Sequence, residues 1–167
     1  MGNTICGVDL AGVPSRPTGM CILADSTHFY TVYDTESIIA TIHRSTPDLV
    51  AIDAPLSFHG KPFRDGDKAL RKDYPILPLT FKGMQALTRR ASHLVSCIPY
   101  TLIEVYPYAA KQILNITQNT DLPSCEFSTF PANIHELDAA VCALTGKYYL
   151  QGTYKKYGEK DPIIVPR

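Results

Sequence analysis

No Cys-x-x-Cys pair occurs among the 167 residues, and the five cysteines (Cys6, Cys21, Cys97, Cys125 and Cys142) are odd in number and scattered. That pattern disfavours a structural zinc ribbon and a disulfide framework, and it suits a reducing cytoplasm. No excess of either charge is present: 16 Lys and Arg balance 16 Asp and Glu. No whole-molecule field therefore draws the chain toward polyanions, and any grip on nucleic acid must come from a local patch. No apolar run approaches the roughly 18 residues that cross a bilayer, and the N-terminus lacks a basic-then-apolar leader, so no membrane role is expected. Gly-x-Gly-x-x-Gly, Gly-x-Ser-x-Gly and a Gly-Lys-Ser/Thr loop are all missing. Dinucleotide enzymes, α/β-hydrolases and Walker-type nucleotide triphosphatases are disfavoured accordingly.

What stands out instead is acid inside apolar sequence. Asp9 lies in Ile5-Cys6-Gly7-Val8-Asp9-Leu10-Ala11, Asp53 in Leu49-Val50-Ala51-Ile52-Asp53-Ala54, Glu104 in Leu102-Ile103-Glu104-Val105, and Asp138 in Leu137-Asp138-Ala139-Ala140-Val141. None of these has a Lys or Arg within four positions. An isolated buried carboxylate costs several kcal/mol unless it is protonated, paired or neutralised by a metal. One such acid is commonly structural. Four, drawn from distant stretches, point to one shared cation site.

The periodicity predicts strands at 4–10, 19–24 and 28–33, a helix at 35–45 capped by Asp34, and a fourth strand at 48–53 stopped by Pro55. Residues 56–81 read as loop with a short helix at 65–72, followed by an amphipathic helix at 83–98. A fifth strand at 101–106 leads to a helix begun by Pro107, an irregular stretch at 116–131, and a last helix at 134–150. The tail from 151 reads as polar and basic before ending in Ile163-Ile164-Val165-Pro166. A meander followed by helix-crossed strands predicts one α/β domain over 1–167, with a mixed five-stranded sheet and helices on both faces.

If the first helix carries the fourth strand alongside the first, Asp9 and Asp53 lie within a few ångströms, and Glu104 closes the fifth strand in the same sense. Asp138 falls roughly 80° from the centre of the last helix's apolar stripe, with His135 one turn earlier on the same flank. Glu136 points the other way and, three residues after Asn133, reads as part of a cap. Carboxylates with few His and no Cys suit Mg²⁺ or Mn²⁺. Two such ions about 4 Å apart would activate a water and stabilise the leaving oxygen of a phosphodiester. Between Asp73 and Glu104 there is no acid at all. Arg64, Arg71 and Arg89 are candidate phosphate ligands, with Lys82 and His93 on the same helix face as Arg89. The turn Ala11-Gly12…Ser15-Arg16 could present amides to phosphate.

The segments Gly7-Val8-Asp9-Leu10-Ala11-Gly12, Ala51-Ile52-Asp53-Ala54-Pro55-Leu56, Arg64…Asp67…Arg71, Glu104-Val105-Tyr106-Pro107 and His135-Glu136-Leu137-Asp138-Ala139 resemble, in order and spacing, the domain-of-unknown-function 429 family. The closing Pro162-Ile163-Ile164-Val165-Pro166 matches as well, so the likeness spans nearly the whole chain. That family is described as predicted nucleases of the RNase H-like superfamily. The resemblance implies a strand order 3-2-1-4-5 with strand 2 antiparallel, and metal ligation by Asp9, Asp53 and Asp138. It also implies nucleic acid as substrate and allows for a homodimer, as in the superfamily's resolvases. Two departures stand beside it: Glu136 replaces the Asp that often follows the last-helix His, and residues 115–131 contain no Lys or Arg where members carry a basic segment. Two rival readings are a nucleotide-phosphate site on the same fold, as in actin-like ATPases, and a binding module without catalysis.

Overall fold

Seven strands form one sheet in the order β3-β2-β1-β4-β5-β7-β6. The structure, a computed structural model, describes residues 2–167. The meander is β1 (Ile5–Asp9), β2 (Thr18–Leu23) and β3 (Thr27–Val32), all antiparallel neighbours. Helix α1 (Thr35–Ser45) starts where the Asp34 carboxylate accepts the Ser37 N–H at 2.7 Å. It crosses over so that β4 (Leu49–Asp53) lies parallel to β1. After α2 (Asp65–Leu70) and α3 (Lys82–Cys97), β5 (Leu102–Val105) adds parallel to β4. Pro107 opens α4 (Pro107–Leu114), and the Asn133 side chain caps α5 (Ile134–Leu150) by accepting the Glu136 N–H at 3.0 Å.

The expected order 3-2-1-4-5 is present, with β2 antiparallel, but the sheet does not stop at five strands. The tail, read as polar and basic before its closing apolar run and assigned no strand, forms β6 (Tyr154–Tyr157) and β7 (Ile163–Pro166), with β7 parallel to β5 and β6 antiparallel to β7. Both strands are four residues long, too short to show a period. Ile163, Ile164 and Val165 are all buried because both faces of β7 are covered, so no alternation marks the strand. Asp65 secures the β6–β7 turn: its carboxylate accepts the N–H groups of Glu159, Lys160 and Asp161 at 2.7–2.9 Å. Those bonds hold its pKa well below the ordinary carboxylate range.

Helices α1 and α3 cover one face, where Ile38, Ile42, Ala91 and Leu94 pack on Cys6, Val8, Val50 and Ile52. Helix α5 covers the other. Its apolar surface is wider than a single stripe: Ala139 through Gly146 are all buried, whereas Ile134 at its start is exposed. The helix lies between the sheet and residues of α4 and the 116–127 stretch, so it buries small residues on the sheet side and Leu137 and Leu144 on the other.

Two glycines set how close α5 comes. A Cβ at Gly7 of β1 would stand 2.1 Å from the Ala139 carbonyl oxygen, and one at Gly19 of β2 would stand 2.0 Å from that of His135. Only a strand without side chains at these points lets the helix backbone settle there. Gly7→Ala and Gly19→Ala are therefore expected to destabilise by about 1–3 kcal/mol or more, because rigid backbone must move. Gly83→Ala, with nothing within 4 Å, should stay within roughly 0.5 kcal/mol of the parent. Urea denaturation midpoints check this, and equal midpoints for all three would refute the close-packing account.

Candidate carboxylate centre

The last residues of β1 and β4, Asp9 and Asp53, are register partners on adjacent parallel strands, which lie about 4.8 Å apart. By strand alternation both face the side of Ile5, Gly7, Leu49 and Ala51, the side that α5 covers. Across β1 the register partner of Asp9 is Gly19, on which the His135 backbone sits. His135 therefore reaches down to Asp9, its Nδ1 3.0 Å from Asp9 Oδ2. Asp138, one turn further along α5, completes the group, and Lys111 of α4 donates to its Oδ1 at 2.6 Å.

The charges crowd. Burial pushes the Asp53 carboxyl well above its ordinary range, and Asp9, Asp138 and Glu104 push it further, with Lys111 only partly offsetting them. Asp9 is raised by burial and by Asp138, against the pull of its His135 hydrogen bond. The Asp53 carboxylate takes no hydrogen bond from the described residues, although each neighbouring acid has a partner. A cleft of about 840 Å³ opens above Asp9, His135 and Asp138, with Gly12 and Arg16 on its rim. Leu10 and Leu87 separate it from a smaller, largely apolar cavity of about 230 Å³ that reaches Asp53 and Tyr106.

The acids and the imidazole suit a hard divalent cation, and an unpartnered, crowded Asp53 is the kind of group one would relieve. As the side chains stand, however, no three His, Cys, Asp or Glu among the described residues are grouped closely enough to hold a metal ion. Asp138 is turned to Lys111 and Asp9 to His135. The donors fit by chemistry, and the set is open.

Glu104 does not belong with them. It pairs in register with Ile52, one step before Asp53, so alternation turns it to the opposite face of the sheet. There the Arg64 guanidinium grips it in a fork, Nη1 to Oε2 at 2.8 Å and Nη2 to Oε1 at 2.6 Å, while the Leu56 N–H donates to Oε2 at 3.0 Å. Arg64 also donates from Nε and Nη2 to Asp67, both at 2.9 Å. Burial opposes the charge on Arg64, but the hydrogen bonds to Glu104 and Asp67 outweigh it and raise its pKa. Arg64 is thus a corrected expectation: only 4% exposed, it fastens the 56–64 loop to β5 and has no donor left for substrate. Arg71 and Arg89 are exposed, Arg71 stacking on Phe63 with its guanidinium carbon 4.0 Å from the ring centre; neither lines the cleft. The guanidinium that does so is Arg16.

The turn after Asp9 is also less open than it looks. The Ala11 amide donates to Thr18 Oγ1 at 3.0 Å, and its carbonyl accepts from Arg90 Nη1 at 2.7 Å. Arg90 further donates to the Tyr33 carbonyl at 2.5 Å, tying the turn to the end of β3. Glu136 behaves as expected, bonding away from the cleft to the Ala132 N–H and to Thr31 Oγ1. Lys111 is the residue that sequence reasoning missed. Its partner lies 27 positions away, beyond any local window; the available signal was its place one turn into a helix that begins straight after β5.

The fold is that of RuvC. Thermus thermophilus RuvC in complex with a Holliday junction substrate matches 91% of this chain and 98% of its own, with a TM-score of 0.60 at 14% identity. A second Thermus thermophilus RuvC structure matches 90% of this chain and 97% of its own, with a TM-score of 0.57 at 15% identity. No family model matches the chain, and no curated protein matches it in sequence. At such identity the likeness is one of fold, and it agrees with the RNase H-like α/β class. No helix of the described residues is long and apolar enough to cross a membrane.

Two mutational outcomes follow from this RuvC-like arrangement. Arg64→Ala leaves Glu104 and Asp67 buried without their partner and should cost about 3–5 kcal/mol in denaturant unfolding; a loss under about 1 kcal/mol would refute the anchoring role. Asp53 has a raised folded pKa, so between its unfolded and folded values the native state keeps the proton and stability falls as pH rises. At pH 7 without divalent ions, Asp53→Asn should therefore melt higher, by roughly 2–4 °C for each kcal/mol of repulsion relieved. A lower melting temperature at pH 7 would contradict the crowding.

Proposed function

We propose that the protein is a divalent-metal-dependent nuclease that hydrolyses phosphodiester bonds of nucleic acid at the cleft lined by Asp9, His135 and Asp138, with Asp53 beside it in the adjoining cavity. The observation that carries this reading is the in-register pairing of Asp9 with Asp53 beneath His135 and Asp138. Asp9, Asp53 and Asp138 are the ligands for Mg²⁺ or Mn²⁺. The bound ion supplies charge to the phosphodiester and lowers the pKa of water. His135, held against Asp9, is placed to accept a proton from water at the cleft floor. Arg16 at the rim is the cation within reach of a phosphate, and Arg71 and Arg89 contribute only to a more distant backbone path. Glu104, bound by Arg64, positions the 56–64 loop.

The chain is read as a member of the domain-of-unknown-function 429 family, folding as one domain and acting in the cytoplasm. The Holliday junction bound to the Thermus RuvC supports branched DNA as the first substrate to test; a homodimer is the assembly that the family resemblance allows. The nucleotide-phosphate alternative is weakened because the Ala11 amide is already bonded. A non-catalytic binding role keeps one observation in its favour: residues 115–131 carry no Lys or Arg.

The test is cleavage of a four-way junction, single-stranded DNA and an RNA–DNA hybrid with Mn²⁺. Wild-type protein should cut at least one, with activity reduced at least a hundredfold in Asp9→Asn and Asp53→Asn. Undiminished cleavage by either variant removes this mechanism, and no cleavage of any substrate leaves the binding-module reading ahead.

A further inference from the structure

We propose that the outer face of α2, with the loop before it, is a docking surface for the sugar-phosphate backbone of a duplex arm of nucleic acid. The proposal rests on the nucleic-acid reading above and adds where the polymer is held away from the carboxylate centre. Lys61, Lys68, Arg71, Lys72 and Lys160 are all exposed, and none of them is in an ion pair among the described residues. The Arg71 N–H donates to the Asp67 carbonyl at 2.9 Å, so the helical turn continues past Leu70. Lys68, Arg71 and Lys72, three and four positions apart, therefore share one face. Phe63 lies under the Arg71 guanidinium, which brings the loop carrying Lys61 alongside. The Lys160 N–H donates to Asp65 Oδ2 at 2.8 Å, at the foot of the same helix.

Along the sequence the charges of this region nearly balance, but the fold separates the signs. Asp65 accepts the N–H groups of Gly66, Glu159, Lys160 and Asp161. Asp67 shares Arg64 with Glu104, and all three are buried. Asp161 accepts from Ser57 and from the His59 ring. The two exposed acids have lysines of their own: Asp73 takes Lys155 and the Tyr157 hydroxyl, and Glu159 takes Lys156. Counting every charge of residues 56–73, of 153–162 and of Glu104, eight cations stand against six acids. The five cations without partners all face water.

The platform is held in place. A helix of six residues does not sustain itself in water, and α2 is fixed from below. A Cβ at Gly66 would stand 2.0 Å from the Asp161 carbonyl oxygen, so the helix backbone rests on the β6–β7 turn. Leu70 packs with Tyr157 and Ile163. Arg71 is prearranged as well, because its stack on Phe63 orients the guanidinium without using its N–H donors. Asp67 lines the cavity that reaches Asp53, so the basic face begins beside the centre and leads away from it. Cations that meet phosphates fix register and carry no base readout, which makes this surface indifferent to sequence.

The test is binding of a labelled duplex DNA of arbitrary sequence to the full chain in EDTA, where no cleavage intervenes, across about 50–200 mM salt. Wild type is compared with a variant combining Lys68→Gln, Arg71→Gln and Lys72→Gln, and with Arg44→Gln in the last turn of α1 as the control for lost charge alone. Far-UV circular dichroism shows that each is folded. The triple variant should bind about tenfold more weakly or worse, and its slope of log affinity against log salt should be shallower by about 2–3. Arg44→Gln should keep the wild-type slope. Equal slopes for wild type and the triple variant overturn the assignment and leave the nuclease reading standing. So does a wild type that ignores duplex DNA and binds phosphatidylserine vesicles through these residues, or one that binds neither. A weakened triple variant beside an Asp9→Asn protein that still cuts would keep this surface and remove the metal mechanism.

Discussion

The parallel register of β1 against β4 is the constraint from which the rest of the centre follows. It sets Asp9 level with Asp53 at the ends of two buried strands, where neither side chain can turn away without leaving the sheet. Water is scarce there and like charge is close, so the arrangement opposes folding whenever both groups are ionised. A chain selected only for stability would place apolar residues at both positions. The cost is concentrated at the mouth of a cleft, beside the carboxyl ends of parallel strands, which is where open α/β sheets present their ligand sites.

Helix α5 answers that crowding with a second geometric constraint. Because Gly7 and Gly19 leave the strand surface bare, the helix backbone rests on the sheet itself, and its first turn lands opposite Asp9. His135 and Asp138 are thereby aimed into the cleft by contacts that involve no polar side chain. The electrostatics of the centre thus depend on two residues that lack side chains altogether, and a substitution there would displace the acid and the imidazole together.

Most of this was legible along the sequence, and the part that was not has a physical cause. Asp34, Pro107 and Asn133 marked helix starts because each acts on its own neighbours, and β1 and β4 showed as apolar runs because both of their faces are covered. Strand parity was harder: Glu104 sits one register step away from the level of Asp53, and a shift of one residue turns a side chain to the other face. Nothing local in Leu102-Ile103-Glu104-Val105 reveals that step, because β5 is apolar on both sides of the acid. Long-range charge partners were hidden for a related reason. Arg64 reaches Glu104 across 40 positions and Lys111 reaches Asp138 across 27, so a search confined to near neighbours finds the acids unpaired. Strand β7 escaped notice because a four-residue run, buried on both faces, carries no alternation.

Those two pairings also show that the chain neutralises buried acid in two distinct ways. Arg64 uses a planar fork, with parallel bonds to Glu104 and further bonds to Asp67, and its side chain is 1% exposed. Such a contact has one geometry and strands a buried charge when broken, so it behaves as a permanent fastening. Lys111 meets Asp138 through a single ammonium, with the two side chains 24% and 22% exposed, so solvent screens the pair and breaking it strands no fully buried charge. The first kind of pair suits a loop that must stay attached to β5. The second leaves Asp138, which lines the cleft, held by one partly exposed contact and not by a buried network.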